Sequence, residues 1–260
     1  MTEVRGQDIL GNIAIVKFDW KEKLAGKKKY AEKFLREHKG IRTVLEKSKK
    51  FSGRLRTMKT KWLAGEKNLE ALYKENGCEF RFNVEGCYFS SRLASERLEI
   101  AKLVKRNENV LVLFGGVAPF AVVIAKLSRA KKIVSVELGR ECSRYALQNV
   151  KRNKLQDRAE IIQGDVRKVL PKMREKFDRI VMTRHNLKDS FLDVALPKIK
   201  KKGVIHYYGF YKEDELDKMR ELIKSEAKRA KKKIKVLKIK KAGDIGMHKY
   251  RYRADLRVLN

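Results

Sequence analysis

Cysteine is scarce. Cys78, Cys87 and Cys142 form an odd, scattered set with no Cys-x-x-Cys pair. That spacing predicts neither a disulfide framework nor a zinc site, and Cys142 reads as an ordinary helix residue rather than a nucleophile. No apolar run approaches the roughly 18 residues that a spanning helix needs. The opening MTEVRGQD has no signal-peptide character. The expectation is therefore a reducing, cytoplasmic setting with no membrane and no bound metal. Acid is also short: 32 Asp and Glu face 65 Lys and Arg, for a net charge of +33. Heat adaptation raises Lys and Glu together to build ion-pair networks, but here bases outnumber acids two to one and most cannot pair. A polyanionic partner, nucleic acid, fits that imbalance. An anionic membrane fits it less well, because no long segment is a clean basic amphipathic helix with a bulky aromatic face. There is no internal repeat.

What is present is enough for a core. Hydrophobic residues make up 43% of the 260, which excludes wholesale disorder. The length suits one large domain, or a domain of roughly 160–180 residues with a small companion. The first half is patchy. Ile9 to Phe18 reads as a strand with a glycine bend and Glu22 to His38 as a basic helix. A short, partly apolar piece follows at Ile41 to Leu45, then the basic run KSKKFSGRLRTMKTKW. Leu69 to Tyr73, the turn Asn76-Gly77 and the strand-like CEFRFNV complete a small mixed α/β unit.

The second half alternates regularly. Arg92 to Val104 is helical and VLVLF (Val110–Phe114) a buried strand. A glycine turn leads to a helix from Pro119 to Lys126. Further strands are expected at Ile133–Val136, Ala159–Ile162, Phe177–Met182 and Val204–Tyr208. Helices are expected at Arg140–Asn149, Phe191–Ile199 and Glu213–Ala230, and strands Ile234–Ile239 and Tyr250–Val258 close the chain. Such alternation implies a parallel sheet covered on both faces, with an antiparallel addition at one edge. That order resembles the class I S-adenosylmethionine methyltransferases.

Three strand ends could form a site. In VLVLFGGVAPF, glycine after a buried strand lets a ligand approach the backbone. Glu137 ends the second strand of this half, 21 residues past Gly116, where an acid would accept hydrogen bonds from both ribose hydroxyls. Asp165 ends the third, placed to reach an adenine amine. A second candidate is YFSSRLASER (88–97). Glu96 shares a helical stripe with Leu93, Ile100, Leu103 and Val104. A carboxylate on such a stripe either pairs with a buried base or acts as a catalytic acid or base. A capping box is excluded, because Leu93 and Ala94 stand three residues after Ser90 and Ser91.

The stretch GRLRTMKTKWLAGEKNLEALYKENGCEFRFNVEGCYFSSRLASER (53–97) makes the resemblance specific. Its LAGE, ENGC and YFSSRLASER segments, with the glycine turn, FDRIVM, FLDVAL and GVIHYY, closely resemble the archaeal and eukaryotic tRNA (guanine-37 N1)-methyltransferase family, along essentially the whole chain. The resemblance implies a small basic α/β tRNA-binding domain over 1–87 and a catalytic domain over 88–260 with a Rossmann-like mixed sheet. The chain is expected to start at the family's second domain, without its small N-terminal one. By position, Tyr88 packs along S-adenosylmethionine, Glu96 is the general base for guanine N1, and Arg56 orients the guanine. Arg97 contacts the cofactor end of the site, Glu137 and Leu138 hold ribose and adenosine, and Asp165 and Val166 flank the adenine. Phe114, Gly116 and Thr183 complete the cofactor site.

Departures are visible. Val112 stands where the family's turn opens with aspartate, and Ala118 where it has a second glycine. Thr183-Arg184-His185 replaces asparagine-leucine-proline beside the target base. Arg184 and His185 then become candidates for binding phosphate or a modified base. The expected function is m1G37 formation by a monomer on the anticodon stem-loop. One alternative is C7 methylation of the tricyclic wyosine precursor at position 37 of phenylalanine tRNA, alone or as a dual activity. Another, of a different class, is an RNA-binding protein with a decayed cofactor site. The run KKFSGRLRTMKTKW, with Phe51 and Trp62 among its bases, suits phosphate contacts with some base stacking.

Overall fold

The structure is a computed structural model that describes residues 2–48, 52–183, 189–246 and 248–260. Arg184, His185 and Phe51 lie outside the described residues.

The chain opens with a four-stranded sheet of β1 (Val4–Leu10), β2 (Ile13–Phe18), β3 (Thr43–Lys47) and β4 (Thr60–Gly65), in that spatial order. The expected single strand from Ile9 is thus two. Gly11 turns between them at φ +61°, and a Cβ there would lie 1.8 Å from the carbonyl oxygen of Leu72, so no larger residue fits. Helix α1 (Leu24–Glu37) crosses from β2 to its parallel neighbour β3, burying Ala31 and Phe34. Strand β4 carries Lys61 and Trp62 outward and buries Leu63 and Ala64, and that mixture hid it inside the basic run.

Strands β5 (Glu70–Glu75) and β6 (Cys78–Asn83) form a hairpin. Its turn residues Asn76 and Gly77 both have positive φ, 48° and 69°, as a two-residue primed turn requires. After a 3-10 turn at Ser91–Leu93 come α2 (Ala94–Leu103), β7 (Asn109–Leu113), α3 (Pro119–Leu127), β8 (Lys132–Glu137), α4 (Arg140–Arg152), β9 (Ala159–Gln163), α5 (Val166–Lys172) and β10 (Phe177–Met182). The chain ends with α6 (Leu192–Ala195), β11 (Ile199–Tyr211), α7 (Leu216–Arg229), β12 (Ile234–Gly246) and β13 (Lys249–Val258). The helix expected over 191–199 is one α turn followed by a 3-10 turn.

The seven strands lie in the order β12-β13-β11-β10-β7-β8-β9. All pairs from β11 to β9 are parallel, and β13 and β12 add antiparallel at the edge. Val110 and Val112 of β7 face one apolar layer with α2, α3 and α4, while Leu111 and Leu113 face the layer of α5, α6 and α7. Strand order reverses at β7, between β8 and β10, and the crevice outside the carboxyl ends of such strands is where ligands bind.

Two asparagines four residues apart, Asn149 on α4 and Asn153 at its C-cap, dock the β5–β6 hairpin on the sheet layer. Asn149 accepts from the Arg81 amide at 2.8 Å and donates to the Arg81 carbonyl at 3.2 Å. Asn153 does the same with Glu79, at 2.9 and 2.7 Å. Both side chains are buried and serve β6 as a neighbouring strand would, satisfying the amide and carbonyl of Glu79 and of Arg81. The expectation that the cysteines stay unpaired is corrected here: Cys87 and Cys142, 55 residues apart, form a disulfide between the segment leaving the hairpin and α4. Spacing could not reveal it, because the fold brings their Cα atoms to 5.5 Å. Cys78 is free and buried.

Candidate active site

The glycine turn after β7 is strained and well anchored. Phe114 has φ +61° and Ala118 φ +64°, values that cost a non-glycine residue of the order of 1 kcal/mol each. Ala118 stands where the sequence comparison expected glycine, and it adopts glycine's conformation at the N-cap of α3. A Cβ on Gly115 would lie 2.1 Å from Ser135 Oγ, so a larger residue there would have to displace that hydroxyl. On Gly116 a Cβ would meet only the Tyr88 carbonyl oxygen, at 3.7 Å, so its side faces the open cleft.

Glu137, at the end of β8, fixes this turn. Its Oε2 accepts from the Gly116 amide at 2.8 Å and its Oε1 from the Gly139 amide at 2.7 Å. A carboxylate has about four lone-pair positions, so one on each oxygen remains for a further donor such as a ribose hydroxyl. Thr183, at the end of β10, donates its hydroxyl to the carbonyl oxygens of Phe114 and Leu113, at 2.9 and 3.1 Å. It therefore holds the far wall of the turn.

A cleft lies over this floor, lined among others by Arg54, Arg56, Tyr88, Arg97, Phe114 and Glu137. Gly116 and Thr183 also line it. The structure thus gathers seven of the sequence-predicted residues: Arg56, Tyr88, Arg97, Phe114, Gly116, Glu137 and Thr183. The Arg56 guanidinium stacks on the Tyr88 ring, 4.1 Å from its centroid. Burial, and then the charge of nearby Arg251, bring its pKa below the ordinary value despite the opposing influence of Tyr88. A glycine floor, an acid with acceptor capacity left and an aromatic wall fit the nucleoside of S-adenosylmethionine.

Four expected residues do not line the cleft. Asp165 caps α5 by accepting from the Arg167 amide at 2.9 Å. Its other oxygen pairs with Arg54, which reaches across from the turn before β4. Burial pushes its pKa up, but these donors bring it below the usual carboxylate value. Val166 is buried in the core beside it. Leu138 lies outside the cleft, its carbonyl accepting from Gln163 Nε2 at 3.1 Å.

Glu96 is the fourth. It is buried, as its stripe predicts, although Leu103 of that stripe is exposed. Its Oε1 accepts from the Tyr208 hydroxyl at 2.7 Å and from Arg253 Nη1 at 2.6 Å. Its Oε2 faces Lys240 at 3.7 Å. Of the two explanations open for a carboxylate there, the ion pair is the one visible. Arg253 also donates to Glu99 and Asp255, at 2.8 and 3.1 Å. Asp255 in turn meets His206 Nδ1 at 2.6 Å, and His206 Nε2 lies 2.6 Å from Arg179 Nη1. Arginine can only donate, so Nε2 accepts, the proton sits on Nδ1 and the imidazole is neutral. Burial agrees, holding the His206 pKa below its ordinary value despite Asp255.

Arg97 is not a free cofactor contact. It makes a two-pronged buried ion pair with Glu75 of β5 and donates to the Ser90 carbonyl at 3.0 Å. It packs over Phe89 and Phe120, so it holds the cleft wall to the hairpin.

A second, larger cavity of about 530 Å³ adjoins the cleft and shares Arg56, Tyr88, Phe89 and Ser90 with it. Lys47, Arg92, Lys249 and Arg251 add further positive charge. Sequence reading missed Arg54 and the whole contribution of β11–β13. Arg54 stands two residues before Arg56 in GRLRT and carried its own signal, whereas nothing local marks Arg251.

Residues 71–237 match the family described as TRM5/TYW2 methyltransferase domain, and residues 4–68 match the TYW2 N-terminal domain. The chain is 35% identical to tRNA (guanine(37)-N(1))-methyltransferase Trm5b of Pyrococcus abyssi, over 83% of this chain and 64% of that protein. It therefore spans somewhat under two thirds of that relative. It is 32% identical to tRNA (guanine(37)-N(1))/4-demethylwyosine(37)-methyltransferase Taw22 of Nanoarchaeum equitans, over 97% of this chain and 99% of that protein. The solved complex of aTrm5 and tRNALeu superposes with a TM-score of 0.87 at 27% identity, covering 98% of this chain and 72% of that one.

Proposed function

Because the chain belongs to the TRM5/TYW2 methyltransferase family, we propose that it transfers a methyl group from S-adenosylmethionine to N1 of guanine 37 in tRNA. The observation that carries this reading is the pair of adjoining cavities that share Arg56 and Tyr88. One has a glycine floor and Glu137, and the other is basic and large enough for an unstacked nucleotide. A base beside the anticodon must leave its stack to reach a buried reaction centre.

When bound, S-adenosylmethionine supplies an electrophilic methyl group. Glu137 holds the ribose hydroxyls through the lone pairs its two amide contacts leave. Tyr88 forms the wall along the cofactor, and Asp165 and Val166 flank the adenine once Arg54 yields. Arg56, braced on Tyr88, orients the guanine at the junction of the two cavities and offsets charge that develops on it. Glu96 stands one residue from Arg97 and three from Leu93, both of which line the cleft. It accepts the N1 proton through Oε2 as N1 gains the methyl group. Residues 1–87 grip the RNA and 88–260 carry the chemistry. The working form is a cytoplasmic monomer.

Nucleoside mass spectrometry tests the reading. A tRNA transcript treated with enzyme and methyl donor should yield 1-methylguanosine, and a transcript with adenosine at position 37 should not. Absence of methylated nucleoside from the guanine-37 transcript would refute it. The end-to-end match to Taw22 favours a second, compatible activity: C7 methylation of 4-demethylwyosine at the same position, tested on tRNA that carries that base.

A further inference from the structure

Four arginines are buried among the described residues: Arg97, Arg179, Arg251 and Arg253. Arg97 pairs with Glu75, Arg179 with Glu108, and Arg253 with Glu96, Glu99 and Asp255. Arg251, on β13 and 5% exposed, has no carboxylate within ion-pair distance among the described residues, and its Nε has no hydrogen-bond partner. The guanidinium packs over the Phe210 ring, 5.3 Å from the centroid, and lines the larger cavity. A buried, uncompensated cation is costly, so a fold that keeps one gains by it elsewhere.

The surroundings specify the sign of what it meets. Five bases line this cavity (Lys47, Arg56, Arg92, Lys249 and Arg251) against two acids, Asp8 and Asp244. Both acids are already engaged, Asp8 at 2.9 Å by Arg92, itself one of the five, and Asp244 at 2.8 Å by Lys241, so four bases of the lining have no acid of the lining opposite them. Arg251 also stands close enough to Arg56 to depress its pKa, so two guanidinium groups face one space. Planar donor forks of that kind match the oxygens of a phosphodiester.

We propose that Arg251 binds a phosphodiester flanking the reacting nucleotide and so sets how far that nucleotide enters the cavity. This rests on the tRNA reading above and makes Arg251 a positioning residue. The shared Arg56 joins the two tasks, since it stands between the phosphate site and the cofactor cleft.

The test is binding of an anticodon stem-loop RNA in which the linkages around nucleotide 37 are replaced one at a time by neutral methylphosphonate. One linkage should cost the wild type roughly 10–100-fold in affinity, the usual worth of a charge-assisted hydrogen bond. Arg251→Met should lose about as much on unmodified RNA and be indifferent to that linkage, with S-adenosylmethionine affinity unchanged by calorimetry. Its melting temperature should equal or exceed that of wild type, because an unpaired buried charge has gone. Should Arg251→Met not fold, Arg251→Lys supplies the comparison: charge kept, fork lost, and a reduced response at the same linkage. Identical linkage profiles in wild type and variant would overturn the proposal. Failure of the methylation reading would register separately, as linkage-specific coupling without any methylated nucleoside.

Discussion

Glu96→Gln separates two roles that the structure superimposes on one carboxylate. Oε1 accepts from Tyr208 and Arg253, and Oε2 faces Lys240. Glutamine keeps an acceptor for the first two and turns an amide toward the lysine. Arg253 would retain Glu99 and Asp255, so no buried charge is left alone and the about 3–5 kcal/mol of a broken buried pair does not apply. The loss is that of weakened charge-assisted hydrogen bonds, about 1.5–3 kcal/mol. In a chain of this size that lowers the melting temperature by roughly 3–12 °C. If Glu96 also takes the N1 proton, single-turnover methylation falls by roughly 10²–10⁴-fold, a barrier increase of about 2.7–5.5 kcal/mol. The assay is single turnover at saturating enzyme, well below the variant's melting point, repeated as pH rises. Higher pH removes the N1 proton without the enzyme and should partly restore the rate. A variant that melts earlier yet methylates within a few-fold of wild type would refute the catalytic role and leave Glu96 as a partner of Arg253. His185 would then be the first group to test as proton acceptor.

Other expectations follow from the same contacts. Glu137→Ala removes the acceptor for two loop amides and for the ribose, so calorimetry should show S-adenosylmethionine binding weakened by roughly 10–100-fold; unchanged affinity would remove Glu137 from the cofactor site. Burial, opposed by Asp255 and aided by the Arg179 and Arg253 charges, holds His206 neutral with its pKa below the ordinary 6.5. The unfolded chain therefore takes up a proton that the folded one refuses, and stability should fall as pH drops below about 6.5. Asp255, whose pKa burial pushes up but the His206 hydrogen bond and the Arg253 charge bring below the usual aspartate value, adds a loss of the same sign at lower pH. A melting temperature equal at about pH 5 and pH 8 would contradict this, and His206→Asn should flatten the upper limb. The Cys87–Cys142 bridge closes a span of 55 residues, for which chain entropy allows up to about 4 kcal/mol. Urea midpoints with and without reductant should differ, and identical midpoints would show that the bridge contributes no stability.

Alternation of short apolar strands with helical stretches was enough to place β7 to β13 in a mixed sheet, because buried parallel strands need continuous apolar runs and surface helices need one apolar face. The positions of Gly116, Glu137 and Asp165 were likewise legible, since strand ends of such a sheet share one edge whatever the rest of the chain does. So was the burial of Glu96, which helical spacing dictates. Its partner was not: Arg253 lies 157 residues away, and no local rule links them. The same holds for Arg54 across Asp165, for Arg97 with Glu75, and for Cys87 with Cys142. Each pairs residues that only the crossing of elements brings together. Strand β4 was missed for a related reason: Lys61 and Trp62 face outward and obscure the inward Leu63 and Ala64. Sequence alone therefore determined the fold class, the basic character and the edge at which chemistry could occur. Tertiary structure decided which charges meet. Ion pairs and disulfides depend on distances of a few ångströms between segments far apart in the chain, whereas periodicity reports only which face of a single segment turns inward.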